Sequence, residues 1–290
     1  MADVSVVGLG RMGRAMAVRL VEHSLRVAVH NRTRQRAEDL AAEIGVDVCA
    51  SAREAAAAAD LVVVSVADDH ALRELASGDD GLLAGLTGRS VVVETSTVSP
   101  DTMRWLADQA APTGAAVLDA PVSGSVPSIQ RGELVFLVGG PHDALERIRP
   151  VTDVLAKQVV HLGDVGTGAA TKLAVNAVVH ALNVSLSEAL VLTERAGVPR
   201  AAAYDAIAAS AAGAPFVHYK RSAFLDPEAT PPAFALELVA KDLRLALELA
   251  AESGPALPQA LANLDVVERA VEQGHGARDM SWLAEVHRRA

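Results

Sequence analysis

Between residue 4 and about residue 161, short apolar, β-branched runs alternate with Ala- and Arg-rich stretches that carry helical spacing. The runs Val4–Val7, Val27–His30, Leu61–Val66, Ser90–Glu94, Ala115–Leu118, Leu134–Val138 and Val159–His161 predict strands. Several are apolar at every position, as strands covered on both faces are, so the pattern predicts a parallel sheet with crossover helices. Helix-start signals sit between the runs. Ser51-Ala52-Arg53-Glu54 has capping-box spacing, and Ser99-Pro100 sets a cap residue before a proline in the first helical position. Beyond Gly163 no strand-like run remains, and helices are interrupted at Gly197-Val198-Pro199, Asp226-Pro227, Pro231-Pro232 and Gly254-Pro255. A chain of 290 residues has room for two domains. The expected division is an α/β domain over 1–163 and an all-helical domain over 164–290.

The most apolar stretch, Ala169–Leu192, is interrupted by Lys172, Asn176, His180, Asn183 and Glu188. A bilayer tolerates such residues poorly, so this stretch predicts a buried helix rather than a membrane span. Overall composition is ordinary for a globular chain at 51% hydrophobic and 21% charged, and a formal net charge of -10 leaves no broad basic face for nucleic acid. The single cysteine, Cys49, excludes an internal disulfide and reads as a small buried hydrophobe. With a strand-like run beginning at Val4 and no basic segment followed by an apolar one, the expected location is the cytoplasm. The nine histidines show no paired ligand spacing, and Asp68-Asp69-His70 reads as a helix start, so no metal site is expected.

Gly8-Leu9-Gly10-Arg11-Met12-Gly13 follows the first strand run directly and opens a helical run, Ala15–Glu22. In that context Gly8 permits a tight turn, Gly10 lets a pyrophosphate approach the backbone, and Gly13 lets helix and strand pack closely. The amides at the helix start attract the anion. The sequence thus predicts a Rossmann-type dinucleotide-binding domain. At the end of the second strand run, an acidic residue would bind the ribose 2′-hydroxyl of NAD. Here His30-Asn31-Arg32-Thr33 offers no carboxylate, and Arg32 presents a fork of donors to a 2′-phosphate with Asn31 and Thr33 as neutral partners. NADP(H) is therefore expected in preference to NAD(H). A solvated helix-start arginine is the alternative for Arg32.

Two further segments bear on chemistry: Asp119-Ala120-Pro121-Val122-Ser123-Gly124-Ser125, just past a strand, and Gly166 to Asn176 at the domain boundary. Ser123 and its neighbouring amides suit a carboxylate, although turn chemistry equally explains Ser and Gly there. Lys172, Asn176, His180, Asn183 and Ser187 recur every three or four residues, which draws one polar line along an otherwise apolar helix. Burial of an ammonium favours its neutral form, so Lys172 suits proton transfer at a substrate oxygen. A lysine reaching solvent from the first turn is the alternative.

Together the glycine loop, Glu94-Thr95-Ser96-Thr97, Asp119–Gly124, the Gly168, Lys172, Asn176 spacing and Phe234 with Lys241-Asp242 resemble the β-hydroxyacid dehydrogenase family. That family includes 3-hydroxyisobutyrate dehydrogenase and short-chain semialdehyde reductases. The resemblance implies that Thr97 lies near the nicotinamide, that Ser123 and Gly124 bind the substrate carboxylate with Ser125 beside them, and that Lys172 is the general acid/base. It also implies that Asn176 orients the substrate, that Lys241 faces the cofactor, and that the helical domains pair in a homodimer. Val66 and Ala67, at the end of the third strand run, complete the expected cofactor set. Ser125, Pro127 and Ser128 depart from the family's glycine-rich substrate loop. Imine reductases are also similar, but their proton donor position carries Asp or Tyr where this chain has Lys172. A non-catalytic NADPH-binding adaptor is a further alternative, against which Lys172 and the missing basic tail argue.

Overall fold

A computed structural model describes residues 1–289, which divide into two compact units, one over Met1–Lys172 and the other from Leu173 onward. The first is built on a nine-stranded sheet: β1 Val4–Val7, β2 Val27–His30, β3 Asp47–Val48, β4 Leu61–Val64, β5 Val91–Glu94, β6 Ala116–Asp119, β7 Val122–Ser123, β8 Leu134–Gly139 and β9 Ala156–Gly163. Strands β3, β2, β1, β4, β5 and β6 lie side by side in that order, all parallel.

The apolar runs follow from burial on both faces. Val4 and Val6 enter one core beneath the helix Arg11–Glu22, whereas Val7 enters the other; Val63 and Val93 likewise part from Val62, Val64 and Val92. Side chains of a strand alternate between faces, so neither set could be polar without losing a buried contact. Each fully buried valine contributes about 1.5–3 kcal/mol. The one polar exception on β1, Ser5, donates its hydroxyl to the Ala55 carbonyl at 2.6 Å. The start signals act as their spacing indicates: Ser51 Oγ accepts from the Glu54 amide, Ser99 Oγ from the Thr102 amide, and Asp68 Oδ1 from the Ala71 amide. Cys49 is buried, and burial pushes its thiol up to about 11.

The sheet departs from the expected all-parallel pattern past Asp119. Strand β8 runs antiparallel to β6, with Asp119 opposite Gly139, and to β7, with Val122 opposite Phe136; β9 runs parallel to β8. Strands β3 and β7 have two residues each, too few to show alternation, and β9 begins at Ala156, ahead of the apolar run that marks it.

The second unit is helical, and three of its breaks fall at predicted Gly and Pro interruptions, with further breaks after Ala209 and at Lys220. Helices end at Arg195, Leu225 and Ser253, just before Gly197-Val198-Pro199, Asp226-Pro227 and Gly254-Pro255. Its core gathers Leu190, Tyr204, Phe216, Phe224, Leu243 and Trp282. The Tyr204 hydroxyl donates to the Val217 carbonyl at 2.6 Å, so this fully buried ring carries no orphaned polar atom. Lys220 and Asp279 form a buried ion pair at 2.8 Å. Asp279 also accepts the amides of Ala233, Phe234 and Ser281. The cation and these amides outweigh burial and hold its carboxyl below the ordinary value of 3.8. Among the described residues, Thr167–Arg195 is the one helix long and apolar enough to cross a membrane, yet Asn176, His180, Asn183 and Ser187 are buried along it.

Candidate functional site

In the glycine loop each glycine meets a different demand. Gly8 has φ +92, and a Cβ there would lie 2.1 Å from the Ser65 carbonyl oxygen; at Gly13 it would lie 2.0 Å from the Gly8 carbonyl oxygen. Gly10 is different, because nothing lies within 4 Å of its Cβ position. Open space there, at the start of the helix Arg11–Glu22, which no side chain caps, leaves a place for an anion on the first amides. These residues therefore fit a dinucleotide pyrophosphate. Leu9 buries its side chain in the core, whereas Arg11 is exposed and Met12 half-buried.

The segment after β2 divides its work. Asn31 Oδ1 accepts the Leu9 amide at 2.9 Å while its Nδ2 donates to the Thr33 carbonyl at 2.9 Å, so Asn31 ties the loop to the strand end. Thr33 stands at the N-cap position of the helix Arg34–Ile44 without a side-chain cap bond. Arg32, 84% exposed, pairs with Glu74 at 3.4 Å, a long and solvated contact that leaves the guanidinium open to a stronger anion.

At the carboxyl ends of β4 and β5, a fully buried carboxylate shapes the adjoining loop. Glu94 accepts the Ser96 amide at 3.0 Å and the Ser96 hydroxyl, and Ser96 Oγ in turn accepts the Val66 amide at 2.8 Å. Thr95 Oγ1 donates to the Val64 carbonyl at 2.7 Å. Val66 with the exposed Ala67, and Thr97, thus emerge from two strand ends that are bonded to each other. Carboxyl ends of parallel strands are where open α/β sheets bind ligands.

Past β6 the chain turns into the Ser123–Ser125 segment. Gly124 has φ +142, and a Cβ there would meet Leu134 Cδ2 at 2.7 Å; it is exposed, with Ser123 half-buried before it. Ser125 occupies the N-cap position of the helix Val126–Arg131, and its amide donates to Ser128 Oγ at 3.2 Å.

Asp119, at the end of β6, is fully buried. Its Oδ1 accepts the Gly166 amide at 2.9 Å and its Oδ2 accepts the Ala169 amide at 2.7 Å, so a strand end supplies the cap for the helix Thr167–Arg195. Burial pushes its carboxyl up, against the lowering effect of those amides. Two glycines make the room: a Cβ at Gly139 would lie 2.5 Å from Asp119 Oδ1, and one at Gly168 would lie 2.4 Å from the Leu137 carbonyl oxygen. Lys172 follows one turn beyond Ala169 and is half-buried.

In the helical unit a second polar cluster surrounds Asp242. Asn176 Nδ2 donates to Asp242 Oδ2 at 2.6 Å, His180 Nε2 lies 3.7 Å from the same oxygen, and Lys241 Nζ pairs with Asp242 Oδ1 at 3.1 Å. Burial alone would raise the Asp242 carboxyl; His180 and Lys241 outweigh it and hold the group below its ordinary value. The His180 ring lies 5.9 Å from that of Phe234. Further along, Asn183 Nδ2 donates to the Met280 carbonyl and Ser187 Oγ to the Asn183 carbonyl, so the rest of the polar line serves packing.

Sequence reasoning assigned no role to Asp119, Glu94 or Asp242. For Asp242 a signal existed: it falls on the buried stripe Val239, Leu243 and Ala246 of the helix Leu236–Ser253, where a charge needs partners.

Comparison with known proteins agrees with this arrangement. Residues 3–163 match the family model of the NAD binding domain of 6-phosphogluconate dehydrogenase, and residues 166–287 match that of the NAD-binding region of NADP-dependent 3-hydroxyisobutyrate dehydrogenase. Glyoxylate/succinic semialdehyde reductase 2 of Arabidopsis thaliana is 31% identical over 98% of this chain and 78% of its own. The crystal structure of 3-hydroxyisobutyrate dehydrogenase from Salmonella typhimurium superposes with a TM-score of 0.89 at 28% identity, covering 99% of this chain and 100% of that one. Psf3, solved with NADP+ and 2-OPP, superposes with a TM-score of 0.91 at 26% identity over 98% and 99% of the two chains. The protein is an NAD(P)-binding oxidoreductase. It belongs to the β-hydroxyacid dehydrogenase family.

Proposed function

We propose that the protein is an NADPH-dependent oxidoreductase that interconverts a short-chain β-hydroxyacid and its semialdehyde, with Lys172 as general acid/base. The observation that carries this reading is the placement of Lys172 on the first turns of a helix capped from the carboxyl end of β6, in the unit that also holds the glycine loop. The names of its relatives, a glyoxylate/succinic semialdehyde reductase and a 3-hydroxyisobutyrate dehydrogenase, support the substrate class.

The amides of Gly8 to Gly13 would hold the pyrophosphate, and Arg32 the 2′-phosphate. Val66, Ala67 and Thr97 would flank the nicotinamide end. A bound nicotinamide dinucleotide supplies or accepts the hydride. In reduction Lys172 Nζ gives its proton to the developing alkoxide oxygen, and in oxidation it takes that proton back. Ser123, Gly124 and Ser125 hold the substrate carboxylate through hydroxyl and backbone amide donors. Asn176, itself braced by Asp242, orients the substrate.

Homodimerisation through the helical unit and a cytoplasmic location belong to the same reading. Val178 and Leu192 support the former: they are 70% and 71% exposed and lie fourteen residues apart on the helix Thr167–Arg195, which brings them to one face. Cys49, alone and buried, supports the latter.

The test is NADPH oxidation against short acid semialdehydes, glyoxylate and cyclic imines, run beside Lys172→Ala. Turnover of an acid semialdehyde that disappears in Lys172→Ala is the expected result. Imine turnover that survives the substitution would move the protein to imine reduction, and tight NADPH binding with no turnover of any substrate would make it an adaptor.

A further inference from the structure

We infer that Asp119 is the positioning residue of the reaction: it sets the start and phase of the helix Thr167–Arg195 and thereby the place from which Lys172 delivers its proton. The inference rests on the acid/base reading of Lys172. Helix starts carry amides with no partner inside the helix, and an ordinary cap satisfies them with the side chain of the residue just before it. Here that neighbour is Gly166, which has no side chain, and the cap arrives from a strand 47 residues earlier in the sequence. Both oxygens act as acceptors, Oδ1 from Gly166 and Oδ2 from Ala169, a pattern that suits the ionised carboxylate and pins the helix at two points.

A two-point attachment fixes rotation as well as position. One amide bond alone would let the first turn swivel about it; the second, three residues on, removes that freedom. The close approach is built in from the opposite side, since Gly139 and Gly168 leave no room between the carboxylate, the Leu137 carbonyl and the helix for even one added carbon. Lys172 is the next residue after Ala169 on the i, i+3 row, so whatever orients the Ala169 amide orients the base of the lysine side chain. The buried carboxylate thus acts on chemistry through the helix it holds.

The experiment compares Asp119→Asn, which keeps one carbonyl acceptor, with Asp119→Ala, which keeps none, in the full-length protein. Sites are counted by NADPH fluorescence titration, and Lys172→Ala is carried alongside. The expected result is a graded loss of kcat, Asn less than Ala and reaching about 10- to 100-fold, with the KM for NADPH held within about twofold. A purely structural cap would lower Tm yet leave kcat per NADPH-binding site at the wild-type value, and that outcome overturns the inference. If Lys172→Ala retains full kcat, the acid/base reading falls and this inference with it; if Lys172→Ala is inactive while both Asp119 variants turn over normally, positioning alone is overturned. Should the Asp119 variants fail to accumulate as folded protein, Gly168→Ala displaces the same helix start from the Leu137 side. The same split between kcat and KM is expected of it, and an unchanged kcat overturns the proposal equally.

Discussion

The two units place their polar groups by different means. In the nucleotide-binding unit the side chains of Asn31, Glu94 and Asp119 are bonded to backbone amides of the glycine loop, the strand ends and the helix start, and hold that backbone in shape. In the helical unit the backbone is consumed by helices, and the polar groups are buried side chains that partner one another: Asn176 with Asp242 across 66 residues of sequence, Lys220 with Asp279 across 59. The lesson concerns where damage falls. A backbone site is hurt by adding atoms, a side-chain site by removing them.

The largest effect expected from breaking this comparison is on Lys172, the one side chain of the first unit assigned to chemistry. Lys172→Ala should lower kcat by about 10²–10⁴-fold, the usual share of a positioned acid/base, with little change in Tm. Steady-state kinetics beside thermal melts check both halves of that statement.

Next in size is the buried pair of the helical unit. Asp279→Ala removes the carboxylate from the buried Lys220 ammonium and the acceptor from the amides of Ala233, Phe234 and Ser281, and should destabilise the unit by about 3–5 kcal/mol, whereas Lys220→Met, which leaves Asp279 its three amides, should cost less. Urea unfolding followed by Trp282 fluorescence in a Trp105→Phe background measures both in the helical unit. The opposite ranking would remove the ion pair from its place as the organising contact.

Acid should separate the units by sign. Asp242 and Asp279 titrate below their ordinary 3.8, so the unfolded chain takes up protons first; the stability they contribute is complete above that value and is lost as pH falls through their lower folded values. Asp119 titrates above 3.8, so its contribution runs the other way, and stability declines as pH rises from 3.8 through its folded value. Unfolding curves taken downward from about pH 5 should therefore show the Trp282-reporting unit weakening below about pH 4, and Asp279→Asn should flatten that limb.

The two smallest effects concern cofactor choice. Arg32→Ala should raise the KM for NADPH by about tenfold, the worth of one charge-assisted contact, while NADH use stays nearly unchanged. Equal losses with both cofactors would remove Arg32 from the phosphate site. Glu74 competes for the same guanidinium from an exposed position, so Glu74→Gln should tighten NADPH by no more than about fivefold.

The same contrast explains what could be read from the chain. The glycine loop, seven of the strands and the helix breaks at Gly197-Val198-Pro199, Asp226-Pro227 and Gly254-Pro255 were legible because each is written in neighbouring residues: three glycines at fixed spacing, apolar runs, Gly and Pro pairs. Strand direction is not written locally, since Leu134–Gly139 presents the same apolar run whichever way it lies, and the whole pattern was read as a parallel sheet. Asp119 and Asp242 were visible as residues, but their partners Gly166 and Ala169, or Asn176 and His180, lie some 47 to 66 positions away. Asn31 shows the converse: its place after β2 was read correctly, while its bond to Leu9 could be known only once the loop had folded back.

The margins of the sheet carry one more consequence. Strands β3 and β7 offer only two residues each to an incoming chain, and the longer β9 presents exposed Lys157 and Gln158 near its start. Such borders resist strand-by-strand accretion, because a newcomer would find too few amides to pair with or would have to bury an ammonium. The fold thereby discourages fibrous growth from its nucleotide-binding half, while the helical half exposes the large aliphatic side chains of Val178, Leu192 and Leu261.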